Sequence, residues 1–206
     1  MEIIYCHGGC KDAPRLAAAA GWRYGVRYDY TAYGDVYMLD IGLNPRWVTY
    51  MHKVHRYKPT FALIPDYIKP DKIALGLYWQ DLASHVERVG ICPKFAGAIA
   101  HFPQGAVICE SVPSVYAGWL IPDEELLPER DYHLLGGDPR LQAIEIQRIH
   151  NAGGRVISLD GSKLMLKAAH GQVFSNGKWI KAQGTTPELA RISATEIQNY
   201  LTITNP

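Results

Sequence analysis

Short runs of apolar residues alternate along the chain with longer stretches in which apolar side chains recur every three or four positions. The short runs predict buried strands, and the longer stretches predict amphipathic helices. Strands are predicted at 2–8, 36–42, 60–66, 89–94, 106–111, 132–137 and 155–161, and the weakest candidate for an eighth is 178–183. Helices are predicted at 14–21, 45–57, 74–88, 138–153, 161–171 and 186–201.

Local signals support the ends of several of these elements. Asp138 followed by Pro139 is typical of a helix start, and Gly153 with Gly154 is typical of the end of the same helix. Asn176 and Gly177 form the dipeptide that tight β-hairpins prefer. Since strands and helices alternate without an intervening linker, we expect one α/β domain over residues 1–206 with a parallel sheet.

Polar residues recur near the carboxyl ends of the predicted strands, and this pattern favours a closed barrel. In a parallel barrel those ends form one face, which carries the chemistry. No Gly-rich dinucleotide fingerprint follows the first strand, so an open nucleotide-binding sheet is less well supported. We therefore expect a compact TIM-like (β/α)8 barrel of minimal size. The residues in question are Asp40, Asp66, Lys94, Glu110, His133 and Asp160.

The composition narrows the class of protein. Hydrophobic residues make up 48% of the chain, charged residues 20%, and the formal net charge is +1, which is an ordinary globular balance without a strong overall field. No apolar run is long enough to span a membrane, and the first residues do not resemble a signal peptide, so we expect a cytoplasmic protein with no membrane partner.

The four cysteines do not predict a disulfide framework or a metal site. They are few and widely spread, which indicates a reducing compartment. Cys6-His7-x-x-Cys10 resembles half of a metal knuckle, but the second ligand pair is missing. We expect neither a metal ion nor another cofactor.

Several short motifs together resemble the tRNA-guanine transglycosylase family. "YMLDIG" (37–42), "ALIPDYIKP" (62–70) and "RVISLDGS" (155–162) resemble the three strands that end in the family's functional aspartates. "YHLLGGDPRL" from Tyr132 resembles its strand with a Gly-rich turn, and "AGWLIPDEE" (117–125) more loosely resembles its specificity loop. The resemblance covers roughly residues 36–182 and implies a barrel enzyme, a pentosyltransferase.

The resemblance implies a role for each aspartate. Asp160 matches the family's nucleophile, Asp40 its general acid and base, and Asp66 the residue that binds the incoming base. A carboxylate suits the first role because it can attack a cation-like anomeric carbon. The residue chemistry alone leaves another interpretation of Asp160 open, because aspartate at the end of a strand is often the N-cap of the next helix.

Other residues near the predicted strand ends are candidates for substrate binding. Lys94 stands near the position of a family glutamine, and an aromatic ring could stack on a base. A histidine within a strand binds a base only if it faces the pocket; a satisfied core histidine is the commoner case. The candidates are Lys94, Glu110, Tyr116, Trp119, His133, Gly136 and Gly137.

Three functional hypotheses follow. The family's C-terminal zinc module, which supports tRNA binding, has no counterpart here, so base exchange in DNA is favoured over tRNA; the compact zinc-less relatives include enzymes of phages that insert 7-deazaguanine derivatives into DNA. A related enzyme acting on a free nucleoside or deazapurine is the second. The third is a non-catalytic subunit that binds a purine or nucleic acid. Under each hypothesis we expect a homodimer or a partner subunit.

Overall fold

Eight parallel strands close into a barrel in the computed structural model, which describes residues 1–6, 9–42, 45–112 and 119–203. The strands are paired in chain order and the last pairs with the first, so the predicted TIM-like barrel is confirmed. They are β1 (Glu2–Cys6), β2 (Arg23–Arg27), β3 (Met38–Asp40), β4 (Phe61–Leu63), β5 (Arg88–Ile91), β6 (Val107–Ser111), β7 (Asp131–Leu135) and β8 (Arg155–Asp160).

Within the described ranges, six α-helices accompany the barrel, and each lies where the apolar periodicity predicts one. Their amino ends follow the strands, as in a (β/α)8 arrangement. The Asp138 side chain accepts a hydrogen bond from Arg140 N (3.2 Å) and is the predicted N-cap of the fourth helix. The helices are α1 (Ala13–Ala19), α2 (Trp47–Tyr57), α3 (Lys72–Ala83), α4 (Pro139–Asn151), α5 (Lys163–Ala169) and α6 (Thr186–Ile203).

The eighth barrel strand is β2, and the expectation that residues 178–183 supply it is wrong. The segment RYGVR is flanked by arginines and contains a glycine, so its apolar pattern is too short to predict a strand. Gly25 is needed at its centre because a Cβ there would lie 2.9 Å from Ile4 Cγ2 of β1. The strand is therefore defined by packing inside the barrel and not by its own hydrophobicity.

Residues 178–181 belong to a separate antiparallel hairpin. Its strands, β9 (Gln172–Ser175) and β10 (Lys178–Lys181), are joined by Asn176 and Gly177, which both have positive φ (48° and 76°). This is the backbone that the Asn-Gly pair predicts. The hairpin packs on α6 through Phe174 and Tyr200, whose ring centroids are 5.4 Å apart.

The interior of the barrel is filled by side chains from alternate positions of the strands. Most are apolar and fully buried, as the inner face of a parallel barrel requires. Gly25 and Gly90 make room for their larger neighbours. This inner layer consists of Ile4, Met38, Phe61, Cys109, His133 and Ser158.

The amino ends of the strands carry an ionic cluster. Glu2 of β1 accepts hydrogen bonds from Tyr37 Oη and, at 2.9 Å, from Arg88 Nη1 of β5. Arg23 of β2 lies 3.5 Å from the other Glu2 oxygen.

None of the helices described is both long and apolar enough to cross a membrane.

Gly90→Ala is expected to lower the free energy of unfolding by about 1–3 kcal/mol, which chemical denaturation would measure. The added Cβ would lie 2.4 Å from Leu63 Cδ2 and 2.6 Å from Cys109 Sγ. Gly76→Ala is the matched control, because Gly76 lies within α3 and nothing would lie within 4 Å of its Cβ. Alanine is the better helix former, so the control should gain about 0.5–1 kcal/mol. Equal effects at the two sites would contradict the packing argument.

Candidate active site

The carboxyl ends of the barrel strands surround an open cavity of about 610 Å³. Its size falls within the roughly 300–1,000 Å³ range of small-molecule sites. All three aspartates predicted to be functional, Asp40, Asp66 and Asp160, line it. The described residues that line it are Cys6, Arg27, Tyr30, Asp40, Ile41, Gly42, Leu63, Ile64, Asp66, Cys92, Lys94, Ser111, Leu135, Gly136, Asp160, Gly161 and Ser162.

Asp160 is the most deeply placed of the three carboxylates. It ends β8, is only 8% exposed, and its Oδ1 accepts a hydrogen bond of 2.5 Å from Gly136 N at the end of β7. The N-cap of α5 is Ser162, and no hydrogen bond joins Asp160 to the first turn of that helix. Asp160 therefore does not cap the helix, and it lines the cavity instead.

The protein environment makes ionisation of Asp160 unfavourable. Burial raises the pKa of its carboxyl group to about 7. The Gly136 N–H and the Cys6 thiol partly offset this rise by hydrogen bonding to the charged form, while the nearby Asp40 carboxylate adds to it. Lys163, at the start of α5, borders a second and much smaller cavity behind Asp160. Asp160 is thus a carboxyl group that gains or loses its proton near neutral pH.

Asp40 ends β3, which is separated from β8 by β1 and β2, and shares the cavity with Asp160. Its Oδ1 accepts a hydrogen bond of 3.1 Å from Gly42 N. Burial raises the pKa of Asp40, and the Gly42 N–H and the neighbouring Arg27 guanidinium counteract part of that rise. Arg27 lies directly opposite Asp40 in the strand pairing and is itself bound by Asp29 through two hydrogen bonds of 2.6 and 2.7 Å. Two interacting carboxyls with raised pKa values suit acid–base chemistry.

Cys6 and Arg27 occupy the strands between the two carboxylates, and sequence reasoning did not single them out as site residues. Burial, together with Asp160 and Asp40, raises the pKa of the Cys6 thiol well above its ordinary value. The thiol is therefore neutral and acts as a hydrogen-bond donor to Asp160 rather than as a nucleophile. Each ends its strand on the inward face, as Asp40 and Asp160 do. For Cys6 this position near the end of a predicted strand was an available signal, whereas Arg27 ends β2, which the apolar pattern did not reveal.

The opposite wall of the cavity combines an acceptor with donors. Lys94 Nζ lies 3.6 Å from Asp66 Oδ2 and donates to Ser111 Oγ at 3.2 Å. Asp66 is more exposed than Asp160, but partial burial still raises the pKa of Asp66 despite the nearby ammonium group. Burial disfavours the charge on Lys94, but Cys92 and Asp66 outweigh it, so the pKa of Lys94 is raised and the group stays cationic.

Sequence comparison identifies the family. A family model described as a family of unknown function (DUF6610) matches residues 17–202. The chain belongs to this family. The matched range extends from α1 to α6 and includes the four ionisable residues Asp40, Asp66, Lys94 and Asp160. No curated protein and no solved structure matches the chain.

Two predicted binding residues of this DUF6610 member lie away from the cavity. His133 is completely buried inside the barrel, where its Nδ1 lies 2.8 Å from Ser158 Oγ and its ring packs edge-on against Phe61. Burial lowers the pKa of His133 to about 3, so the ring is neutral. Glu110 points outward from β6 and binds Arg148 of α4 at 3.1 Å. Neither side chain lines the described part of the cavity wall: His133 lies inside the barrel, and Glu110 lies between β6 and α4.

The remaining candidates are divided between the cavity and its surroundings. Gly136 lines the cavity and has a positive φ of 64°. Gly137 lies behind it, where a Cβ would be 2.4 Å from Val112 Cγ1, so its role is close packing. Trp119 is half-buried and is absent from the described part of the cavity wall. Tyr116 lies outside the residues that the structure describes.

Positive charge at the cavity is limited. Arg27 and Lys94 are the cations on the described part of the wall, and both contact carboxylates. The basic residues at the end of α2, His55 and Arg56, precede β4 and so lie at the opposite end of the barrel. Across the described ranges, no group of three or more His, Cys, Asp or Glu side chains is arranged to hold a metal ion.

Proposed function

We propose that the protein exchanges a purine base at a nucleic acid, inserting guanine or a 7-deazaguanine derivative by transglycosylation, with DNA as the favoured polymer. The observation that carries the proposal is that two interacting carboxyl groups, the buried Asp160 and the half-buried Asp40, line one cavity. Breaking an N-glycosidic bond and forming a new one needs such a pair, one carboxylate at the sugar and one at the base.

The reaction can be written with the groups present. The Asp160 carboxylate attacks the anomeric carbon of the sugar, and the bond from that carbon to the purine nitrogen breaks while Asp40 gives a proton to the departing base. Asp40 then removes a proton from the incoming base, whose nitrogen attacks the same carbon and releases Asp160. No electrons are gained or lost, and no co-reactant besides the second base is needed.

The Asp66–Lys94 pair supplies the recognition of the base. Asp66 accepts hydrogen bonds and Lys94 only donates them. Their charged atoms lie 3.6 Å apart, which is too long for a good hydrogen bond, so both groups have hydrogen-bonding capacity left for a base. A base edge with an N–H group beside a carbonyl oxygen, as in guanine, matches this pair. Adenine presents an amino group where Lys94 needs an acceptor, so it is expected to bind poorly.

One observation favours a second candidate, an enzyme that acts on a free nucleoside or deazapurine. Nucleic-acid binding depends on cations that contact phosphates. Arg27 is already held by Asp29 through two hydrogen bonds, and Lys94 lies beside Asp66. The described part of the cavity wall thus offers no uncommitted cation to a phosphate. A small substrate would need none.

The decisive experiment follows labelled guanine into potential acceptors. We expect label to enter duplex or single-stranded DNA and to be lost by a factor of about 10³ or more in Asp160→Asn. Bulk tRNA and free guanosine and deoxyguanosine are tested in parallel. Asp131→Asn is the matched control, because Asp131 pairs with Arg155 at the amino end of β7, away from the cavity.

The dependence of the exchange rate on pH assigns the role of Asp160. A nucleophile must be ionised, so with the pKa of Asp160 at about 7 the rate should rise with pH below that value, and it should fall again once the pH is high enough for Asp40 to lose the proton that it donates. A rate with no rising limb below pH 7 would contradict the role of Asp160 as nucleophile. Label in nucleosides alone would select the small-substrate enzyme, and no label in any acceptor would leave the non-catalytic subunit.

A further inference from the structure

A buried glutamine on α4 connects the two strand ends that hold Asp160. Gln142 is 3% exposed, and its Nε2 donates hydrogen bonds of 2.7 Å to Gly136 O and 2.8 Å to Asp160 O. Both amide hydrogens are therefore used on carbonyl oxygens at the ends of β7 and β8. A single side chain holds these two backbone segments together from outside the cavity.

The same two residues are joined a second time inside the cavity. Gly136 N donates to Asp160 Oδ1 at 2.5 Å, so Gly136 offers its N–H to the carboxylate and its carbonyl to Gln142. Its φ of 64° turns the peptide groups in this way. Gln142 is thus joined to the carbonyl oxygen of the residue whose N–H binds the Asp160 carboxylate, and to the carbonyl oxygen of Asp160 itself.

We propose that Gln142 is a positioning residue for Asp160: its amide fixes the Gly136 peptide and the Asp160 backbone so that the Gly136 N–H stays directed at the carboxylate. This inference rests on the proposed function only for its catalytic meaning. The geometric statement, that Gln142 controls the environment of Asp160 without touching its carboxylate, holds for any reaction at this cavity.

Glutamine is well suited to this position. Its amide nitrogen carries two hydrogens and no charge, so it satisfies two buried carbonyl oxygens without adding a field beside Asp160. A lysine or arginine would place a cation there, and an apolar side chain would leave both carbonyls without their donor. The groups that face Asp160 are the Cys6 thiol from β1, the Asp40 carboxylate from β3 and the Gly136 N–H from β7, while Lys163 of α5 borders the small cavity behind it.

The test replaces Gln142 with methionine and measures the titration of Asp160 itself. In protein made with isotope-labelled aspartate, the carboxyl resonance of Asp160 is the one missing from Asp160→Asn. Since a hydrogen bond to the charged form lowers a pKa, loosening the Gly136 bond should raise the titration midpoint of Asp160 by about one pH unit. Gln147→Met on the exposed face of the same helix is the matched control and should leave it unchanged.

Gln142→Asn keeps the amide but is one methylene shorter, so it cannot reach both carbonyls. It should fold if methionine does not, and should move the midpoint in the same direction. An unchanged midpoint in either folded variant would overturn the proposal. The exchange reaction gives a second readout. The Gln142 variants should exchange base about tenfold more slowly than wild type at pH 6 and at nearly the wild-type rate at pH 9. If no exchange is detected in any protein, the titration still decides the role of Gln142, because it requires no substrate.

Discussion

Asp160→Asn is expected to raise the free energy of unfolding by about 2–4 kcal/mol near pH 9 and to leave it nearly unchanged near pH 4. Burial holds the pKa of Asp160 at about 7 in the folded protein, whereas an aspartate in the unfolded chain titrates near 3.9. Between these two values the folded state binds more protons, so stability falls as the pH rises from about 4 to about 7. Asparagine removes the carboxylate whose ionisation causes the loss.

Urea denaturation of wild type and Asp160→Asn across this pH range would measure the difference. The amide oxygen of asparagine can still accept from Gly136 N, so the variant keeps the hydrogen bond that Asp160 makes. Asp131→Asn is again the control. It weakens a partly exposed pair with Arg155 and should lose up to about 1 kcal/mol without gaining stability at high pH. A loss of stability in Asp160→Asn near pH 9 would show that the carboxylate is not electrostatically disfavoured.

A stabilising substitution at Asp160 has a functional meaning. A carboxylate that destabilises its own fold is retained only where its chemistry is needed, and active sites commonly reduce stability in this way. The same variant should abolish base exchange, so stability and activity should change in opposite directions. That opposition would separate a catalytic carboxylate from a structural one.

Arg148→Met should lower the free energy of unfolding by about 3–5 kcal/mol near pH 9, and by less near pH 6. Arg148 binds Glu110 at 3.1 Å, Glu145 at 2.7 Å and Asp123 at 2.7 Å, and the first two carboxylates are buried. Removing the guanidinium leaves Glu110 and Glu145 without the cation that they share, although Glu110 keeps its hydrogen bond from Ile121 N. The effect depends on pH because burial raises the pKa of Glu110 to about 8, although Ile121 N and Arg148 oppose the rise, so Glu110 carries a proton near pH 6.

The comparison of two arginines on α4 makes this prediction specific. Arg140→Met removes an exposed guanidinium that pairs with Asp138 at 3.0 Å, and the loss should stay below about 1 kcal/mol. Adding Glu110→Gln to Arg148→Met should recover part of the loss near pH 9, because one of the uncompensated charges is gone. Similar losses for the two single variants would show that the buried carboxylates do not depend on Arg148.

The positions of seven barrel strands and of the six α-helices in the described residues could be read from the apolar pattern, as could the Asn176–Gly177 turn. These are local properties: the pattern of burial follows the period of the element, and the turn follows from residues that tolerate positive φ. The same pattern did not reveal β2. Its central Gly25 carries no hydrophobic signal, and the reason for that glycine lies in Ile4 on another strand.

Within the candidate site, the sequence indicated that Asp40, Asp66, Lys94 and Asp160 lie in or near the later part of their strands, and parallel strands that close into a barrel bring such ends to one face. Asp40 and Asp160 end β3 and β8, whereas Asp66 and Lys94 lie in the loops that follow β4 and β5. Whether a side chain near a strand end points into the cavity or away from it was decided by the tertiary structure. Glu110 faces α4, whereas Ser111 beside it lines the cavity, because neighbouring residues of a strand point to opposite sides. The sequence by itself therefore determined the elements and the carboxylates at their ends. The closure of the barrel and the contacts of Gln142 and Cys6 with Asp160 required the folded chain, because they join residues more than fifteen positions apart that no local pattern relates.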